Sequence, residues 1–198
     1  LEDKKQSKVF AKAILHNSER LTEMVTDLLD LSRIEHGELK LHIEKINLQE
    51  CIDQSIDSLK NLGKKKNVVI KCNCPNKTQY VFADKKALER ILTNLIDNAF
   101  KYSEEDSVIN IATKTKHKDD NVLISITDSG KGISDEDKPV IFDRFFRTAE
   151  ARASEKKGSG LGLAIVKNLV NSLNGDVGVK NAPNNRGSQF WITLPIAK

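Results

Sequence analysis

Between residues 10 and 31, seven side chains fall at alternating steps of four and three: Phe10, Ile14, Asn17, Leu21, Met24, Leu28 and Leu31. That spacing closes on one stripe of an α-helix and on no face of a strand, so the chain is predicted to open with a single long helix over about residues 3–35. Val25 and Leu29 widen the stripe, which gives the helix more than one neighbour to pack against. A helix with such a seam calls for partner helices, and Asn17, a carboxamide on an otherwise apolar line, can set their register. Gly37 stops the helix, and a short alternating stretch, "ELKLHIEKINL", leads away from it.

From about residue 44 the pattern alternates between α and β. "LQECIDQSIDSLKNLGKKKN" is an amphipathic helix, expected to close at Gly63. "VVIKCNC" and "YVFAD" are short strands, and Asp84 caps the helix "DKKALERILTNLIDNAFKYS". "SVINIATKT" and "NVLISITD" form an antiparallel pair across the polar loop "KHKDD". A short helix is expected near 134–145, then an apolar-poor segment over 148–157, a helix in "LGLAIVKNLVNSLNG", and strands in "DVGVKNA" and "GSQFWITLP". The prediction is a long bundle-forming helix with its linker, 1–43, followed by a compact α/β (α+β) layer domain with a mixed sheet and three main helices, 44–198.

Composition narrows the function. Lysine and arginine number 32 against 28 acidic residues, a net charge of +4, with no basic stripe carrying interleaved aromatics; a nucleic-acid partner is therefore not expected. No apolar run reaches the roughly 18 residues that span a bilayer, and the start lacks a signal-peptide layout. The three cysteines, Cys51, Cys72 and Cys74, suit a reducing compartment and are expected to be buried or half-buried thiols. The C-x-C at 72–74 has no second pair at zinc-site spacing.

Three clusters carry chemistry. On the helix "NLIDNAFKYS", Asn94, Asn98, Lys101 and Tyr102 share a stripe beside the apolar face. Carboxamides there can ligate Mg²⁺, the lysine can neutralise a phosphate and the phenol can cover a base; taken alone, the stripe is better explained as an ordinary polar helix margin. In "VLISITDSGKGI", Val122, Ile124, Ile126 and Asp128 share one strand face, so a carboxylate ends an apolar row and needs a donor, for which an adenine amine would serve. Gly130 and Gly132 then allow close backbone approach, although D-x-G turns are common. In "GSGLGLAIV", Gly158, Gly160 and Gly162 precede a helix whose free amides suit phosphate, and the pattern fits neither a Walker A loop nor a dinucleotide fingerprint. Between the last two, "FDRFFR" offers Phe142, Phe145 and Phe146 as anchors and Arg144 and Arg147 as phosphate donors, while 148–157 has the composition of a mobile lid.

In this order the clusters resemble the boxes of the sensor histidine kinases of two-component signalling. "NLIDNAFKYS" resembles the N box, "DSGKGI" the G1 box, "FDRFFR" the F box and "GSGLGLAIV" the G2 box, with "GSQFWITLP" similar to the closing strand. The resemblance implies a Bergerat-type sandwich that binds ATP with Mg²⁺. By position, Asn98 would ligate the metal with support from Asn94, Lys101 would contact phosphate and Tyr102 would pack near the base. Asp128 would accept from the adenine amine, and Arg147 would face the terminal phosphate. Gly130, Gly132, Ile133, Phe146, Gly158, Gly160, Leu161, Gly162 and Leu163 would shape the pocket. The implied partners are a phosphoacceptor helix of the parent protein and a response regulator, and the seam of the first helix predicts a homodimer through residues 3–35. The implied setting is the cytoplasm of a bacterium, with membrane anchoring of the parent left open.

One residue decides how much of the reaction the chain holds. The family's phosphorylated histidine is typically followed by an acidic residue and, soon after, a proline; His16 is followed by Asn17 and Ser18, and no proline precedes Pro75. "SERLTEMVTDLLDLSRIEHGEL" instead resembles the second helix of the dimerising hairpin, and His16, His36, His42 and His117 all lack the expected neighbours. The expectation is a catalytic domain whose nucleophile sits on a helix outside these residues. Two other readings stand beside it. An ATP-hydrolysing member of the same fold would need a carboxylate near Asn94, for which Glu89 is the candidate. A non-catalytic nucleotide-binding interaction module would need no such group.

Overall fold

The computed structural model describes residues 2–75, 79–116, 120–153, 158–183 and 186–197; for residues 2–9 and a few later helix positions, His16 among them, it describes the backbone alone. In chain order the elements are α1 (Glu2–Glu35), β1 (Glu44–Asn47), α2 (Leu48–Lys66), β2 (Val69–Asn73), β3 (Tyr80–Ala83), α3 (Lys85–Tyr102), β4 (Val108–Lys116), β5 (Asn121–Thr127), α4 (Ala149–Ala153), α5 (Gly162–Ser172), β6 (Val177–Asn181) and β7 (Ser188–Pro195).

The predicted mixed sheet is present. Five strands run in the order β2-β4-β5-β7-β6, with β2 parallel to β4 and the other neighbours antiparallel, while β1 and β3 form a small antiparallel pair beside it. Residues of one face, including Ile109, Ile111, Ile124, Ile126, Ile192 and Leu194, are buried to 1% exposure or less. They meet α2, α3 and α5, which make the second layer. Period-two alternation on the strands and the apolar stripe of α3 thus find each other, as a two-layer domain requires. α3 contributes Leu88, Ile91, Leu92, Leu95, Ile96 and Phe100, and Asp84 caps it by accepting from the Ala87 amide at 2.9 Å.

α1 ends as expected. Gly37 takes φ +68°, its amide donates to Ile34 O and the Glu38 amide donates to Arg33 O, a Schellman closure that needs the left-handed residue. The last turns of α1 pack against α5, burying Leu31 completely. Earlier seam residues stand in solvent: Phe10, Ile14 and Leu21 are each more than 60% exposed.

Four expectations need correction. α2 does not close at Gly63 but runs to Lys66 and ends on Asn67 at φ +52°. Gly63 serves packing instead of termination, since a Cβ there would sit 2.8 Å from the Phe100 ring, and the amides of Asn67 and Val68 close the helix on the Gly63 carbonyl. The stretch 134–145 is not a helix: Asp137, Val140, Asp143 and Phe146 donate in succession to Ser134, Asp137, Val140 and Asp143, a chain of turns in which Pro139 supplies no amide. Cys72, expected to be buried or half-buried, is exposed, because it sits on β2 at the border of the sheet. Within 148–157, residues 149–153 form the short helix α4 with Ala151 buried, while 154–157 lie outside the described residues. His117 also lies outside them.

Candidate functional site

Where the C-terminal half of α3, the end of β5 and the start of α5 converge, a cleft of about 1020 Å³ opens. The predicted residues Asn94, Asn98, Lys101, Tyr102, Asp128, Gly132, Ile133, Phe146, Arg147, Gly158, Gly160, Gly162 and Leu163 all line it. Segments far apart in the chain are therefore brought to one concavity, as ligand pockets in layered α/β folds commonly are.

Asp128 follows the last residue of β5 and is only 5% exposed. Its Oδ1 accepts from the Gly130 amide at 2.8 Å and the Ser188 amide at 3.1 Å. The donors that its buried charge requires thus come from the neighbouring turn and from β7, which fix the carboxylate at the cleft wall. The glycines here make room for backbone. A Cβ on Gly130 would meet Tyr102 O at 2.5 Å, and one on Gly187 would meet Asp128 O at 2.0 Å.

The α3 edge is also held. Asn94 Nδ2 donates to Arg90 O at 2.9 Å, which turns Oδ1 toward α5, and a Cβ on Gly162 would lie 2.9 Å from that oxygen. The missing side chain at 162 keeps the space beside the carboxamide open. Asn98 lines the same wall and, among the described residues, makes no hydrogen bond with its carboxamide. Lys101 pairs with Asp97 one turn earlier at 2.5 Å. α5 begins without a side-chain cap, so its first amides and dipole are left for an anion.

Four predicted residues behave differently. Leu161 is fully buried and belongs to the core, where its carbonyl starts α5. Gly130 supports Asp128 from behind instead of lining the cleft. Arg144 pairs with Glu35 of α1 and does not line the cleft. Phe145 is 55% exposed at φ +60°, so it anchors nothing by burial; its backbone meets Gly160, whose carbonyl accepts the Phe145 amide at 2.9 Å. The true anchors are Phe142, edge-on to Phe190, and Phe146. Arg147 lines the cleft and donates to the Ala151 carbonyl, which ties it to α4.

Sequence reasoning missed two contributors. Lys66 Nζ donates to the carbonyls of Phe100, Lys101 and Ser103 at 3.0, 2.9 and 3.2 Å, closing the C-terminus of α3 where Lys101 and Tyr102 enter the cleft. Thr22, Met24, Thr26 and Asp27 of α1 also line the cleft, and Asp27 pairs with Arg90 of α3. No local pattern could announce either contact, because each joins elements far apart in sequence. Glu89, the candidate hydrolytic base, lies outside the cleft, 4.0 Å from Lys85. Its charge is felt by Cys51, whose thiol is pushed up to about 12, first by burial and then by the Glu89 charge.

Comparison with known proteins agrees with this geometry. Residues 83–198 match the family described as histidine kinase-, DNA gyrase B-, and HSP90-like ATPase. The chain is 32% identical over 194 residues to the sensor-like histidine kinase SenX3 of Mycobacterium tuberculosis, covering 98% of this chain and 46% of that protein. It is 31% identical over 186 residues to the sensor histidine kinase WalK of Bacillus subtilis, covering 94% and 30%. The chain thus spans less than half the length of these relatives. Full-length ShkA, solved in complex with AMPPNP, superposes with a TM-score of 0.83 at 25% identity, over 96% of this chain and 39% of that one. The Acinetobacter baumannii histidine kinase AdeS gives 0.78 at 26% identity, over 96% and 85%.

Proposed function

The chain belongs to the histidine kinase-, DNA gyrase B-, and HSP90-like ATPase family as an ATP-binding catalytic domain of the sensor-kinase kind, and from that premise we propose that it transfers the γ-phosphoryl group of Mg-ATP to a histidine. That histidine is carried on another helix of the parent protein and passes the group to a response regulator. The observation that carries the reading is the convergence of Asn98, Lys101, Asp128 and the uncapped start of α5 on one cleft. Asp128 accepts from the base, Tyr102 and Ile133 flank it, and Lys101, Arg147 and the α5 amides take the phosphates. Asn98, with Asn94 one turn earlier, would hold the cation, and the lack of a side chain at Gly162 keeps Asn94 Oδ1 uncovered. Bound Mg²⁺ supplies charge neutralisation at the phosphates. The protein's own share is positioning and electrostatic stabilisation while the β,γ-bridging P–O bond breaks and the N–P bond forms.

His16 lies on α1, with its side chain outside the described residues, and its neighbours in sequence speak against the acceptor role. The position of Glu89 speaks against a hydrolase reading. No described helix is long and apolar enough to cross a membrane; anchoring in a bacterial membrane, with this part in the cytoplasm, is proposed for the parent. Self-association through the exposed seam of α1 belongs to the same proposal.

The test is incubation with γ-labelled ATP. This chain alone should take up no acid-labile label, and a mixture with a histidine-bearing hairpin of the parent type should label the hairpin. Asn98→Ala should abolish that transfer. Labelling of this chain that disappears on changing His16, or steady phosphate release with no acceptor, would refute the reading.

A further inference from the structure

Two thiols outside the cleft stand together at the surface. Cys72 is exposed on β2 and Cys74 is half-buried just past the strand's end; neither is in a disulfide, and their Sγ atoms are 2.9 Å apart. β2 is an edge strand, bonded on one side to β4, so the pair lies at a border of the sheet. Gln49 of α2 reaches Cys72 Sγ at 3.9 Å, and Gln49 is itself held by Asp53 at 2.9 Å. We propose that Cys72 and Cys74 form a two-thiol site that chelates a trivalent arsenical, a function separate from nucleotide chemistry.

Coordination chemistry selects this ligand class. Zinc requires about four ligands, and among the described residues no third His, Cys, Asp or Glu joins the two sulfurs. A soft cation held linearly needs its sulfurs on opposite sides, whereas these two touch. A direct disulfide is disfavoured as well. Two residues of extended chain span about 6.6 Å, near the upper limit of Cα separations that a disulfide bridges. Partial burial of its sulfur and the hydrogen bond with Cys74 push the Cys72 thiol up to about 12, leaving little thiolate for exchange. An inserted arsenic atom lengthens the bridge, and condensation consumes the protonated thiols. An arsine oxide and two thiols give a dithioarsonite and one water: two As–S bonds form, the As=O bond is lost, both thiol protons leave in the water, and no oxidation state changes.

The experiment titrates the reduced protein with phenylarsine oxide and counts native thiols that still react with a chromogenic disulfide. One equivalent should remove two thiols from reaction, and a small competing dithiol should restore them. Cys72→Ser and Cys74→Ser should each weaken binding by about 100-fold, the loss expected when a second tethered ligand is removed. Cys51→Ala, at the buried third cysteine, should leave it unchanged. Circular dichroism establishes that each variant is folded. Equal affinity in the single serine variants, uptake of two arsenicals per chain, or a 72–74 disulfide that forms in air before the reagent is added would each overturn the proposal.

Discussion

Asp128 accepts two backbone amides on one oxygen while its charge stays at the cleft wall, an arrangement that stabilises a carboxylate poised to receive another donor. Asp128→Asn keeps the shape and removes the charge, so adenine nucleotide affinity should fall about 10- to 100-fold, the equivalent of one charge-assisted hydrogen bond. Preference for adenine over guanine nucleotides should shrink with it; titration calorimetry with both measures the pair, and unchanged affinity would remove the base-reading role. Asp84 gives a pH prediction. Partial burial raises its carboxyl pKa, but the amides of Ala87, His42 and Lys86 together outweigh that and hold it below the ordinary carboxylate value. Because the folded value is depressed, the stabilisation is fully present above the unfolded value near 4 and is lost as pH falls through the folded one. Asp84→Asn should therefore cost about 0.5 kcal/mol at pH 7, and urea titrations should show the difference closing below about pH 4. Asp128 is legible in sequence because it ends a row of period two. The need for glycine at 162 is not, because the atom that demands it, Asn94 Oδ1, comes from a different helix.

Elements follow sequence where the signal is local and depart from it where a neighbour decides. The seam of α1, its Gly37 closure and the Asp84 cap all read directly. The glycine of α2 makes room for the Phe100 ring and leaves termination to Asn67, and the 134–145 helix is replaced by turns around Pro139. What periodicity cannot supply is the surface a stripe will meet. α1 buries Leu31 against the domain, sends Asp27 to Arg90 and Glu35 to Arg144, and makes a wall of the cleft with Thr22, Met24, Thr26 and Asp27, while Phe10, Ile14 and Leu21 stand in solvent. Leu31→Ala should destabilise this docking by about 2–5 kcal/mol, the range for emptying a fully buried leucine site. Hydrogen exchange should then speed up through 24–35 while β5 and β7 stay protected; equal protection in both proteins would mean that α1 is not held by that contact.

At the scale of the molecule, a mixed sheet with three main helices on one face leaves the ends of α3 and β5 and the beginning of α5 around a single opening. The order of the sequence clusters anticipates that opening. The Lys66 tie beneath α3 and the α1 wall do not appear until the chain is folded, since both are contacts between distant segments. The most direct test of the central claim is an amide NMR map of the chain on addition of AMPPNP with Mg²⁺. The account predicts large shifts at 94–102, 128–133 and 158–163 at once, all titrating with one dissociation constant. Shifts restricted to one of these segments, or titrating with separate constants, would contradict a single magnesium–nucleotide cleft.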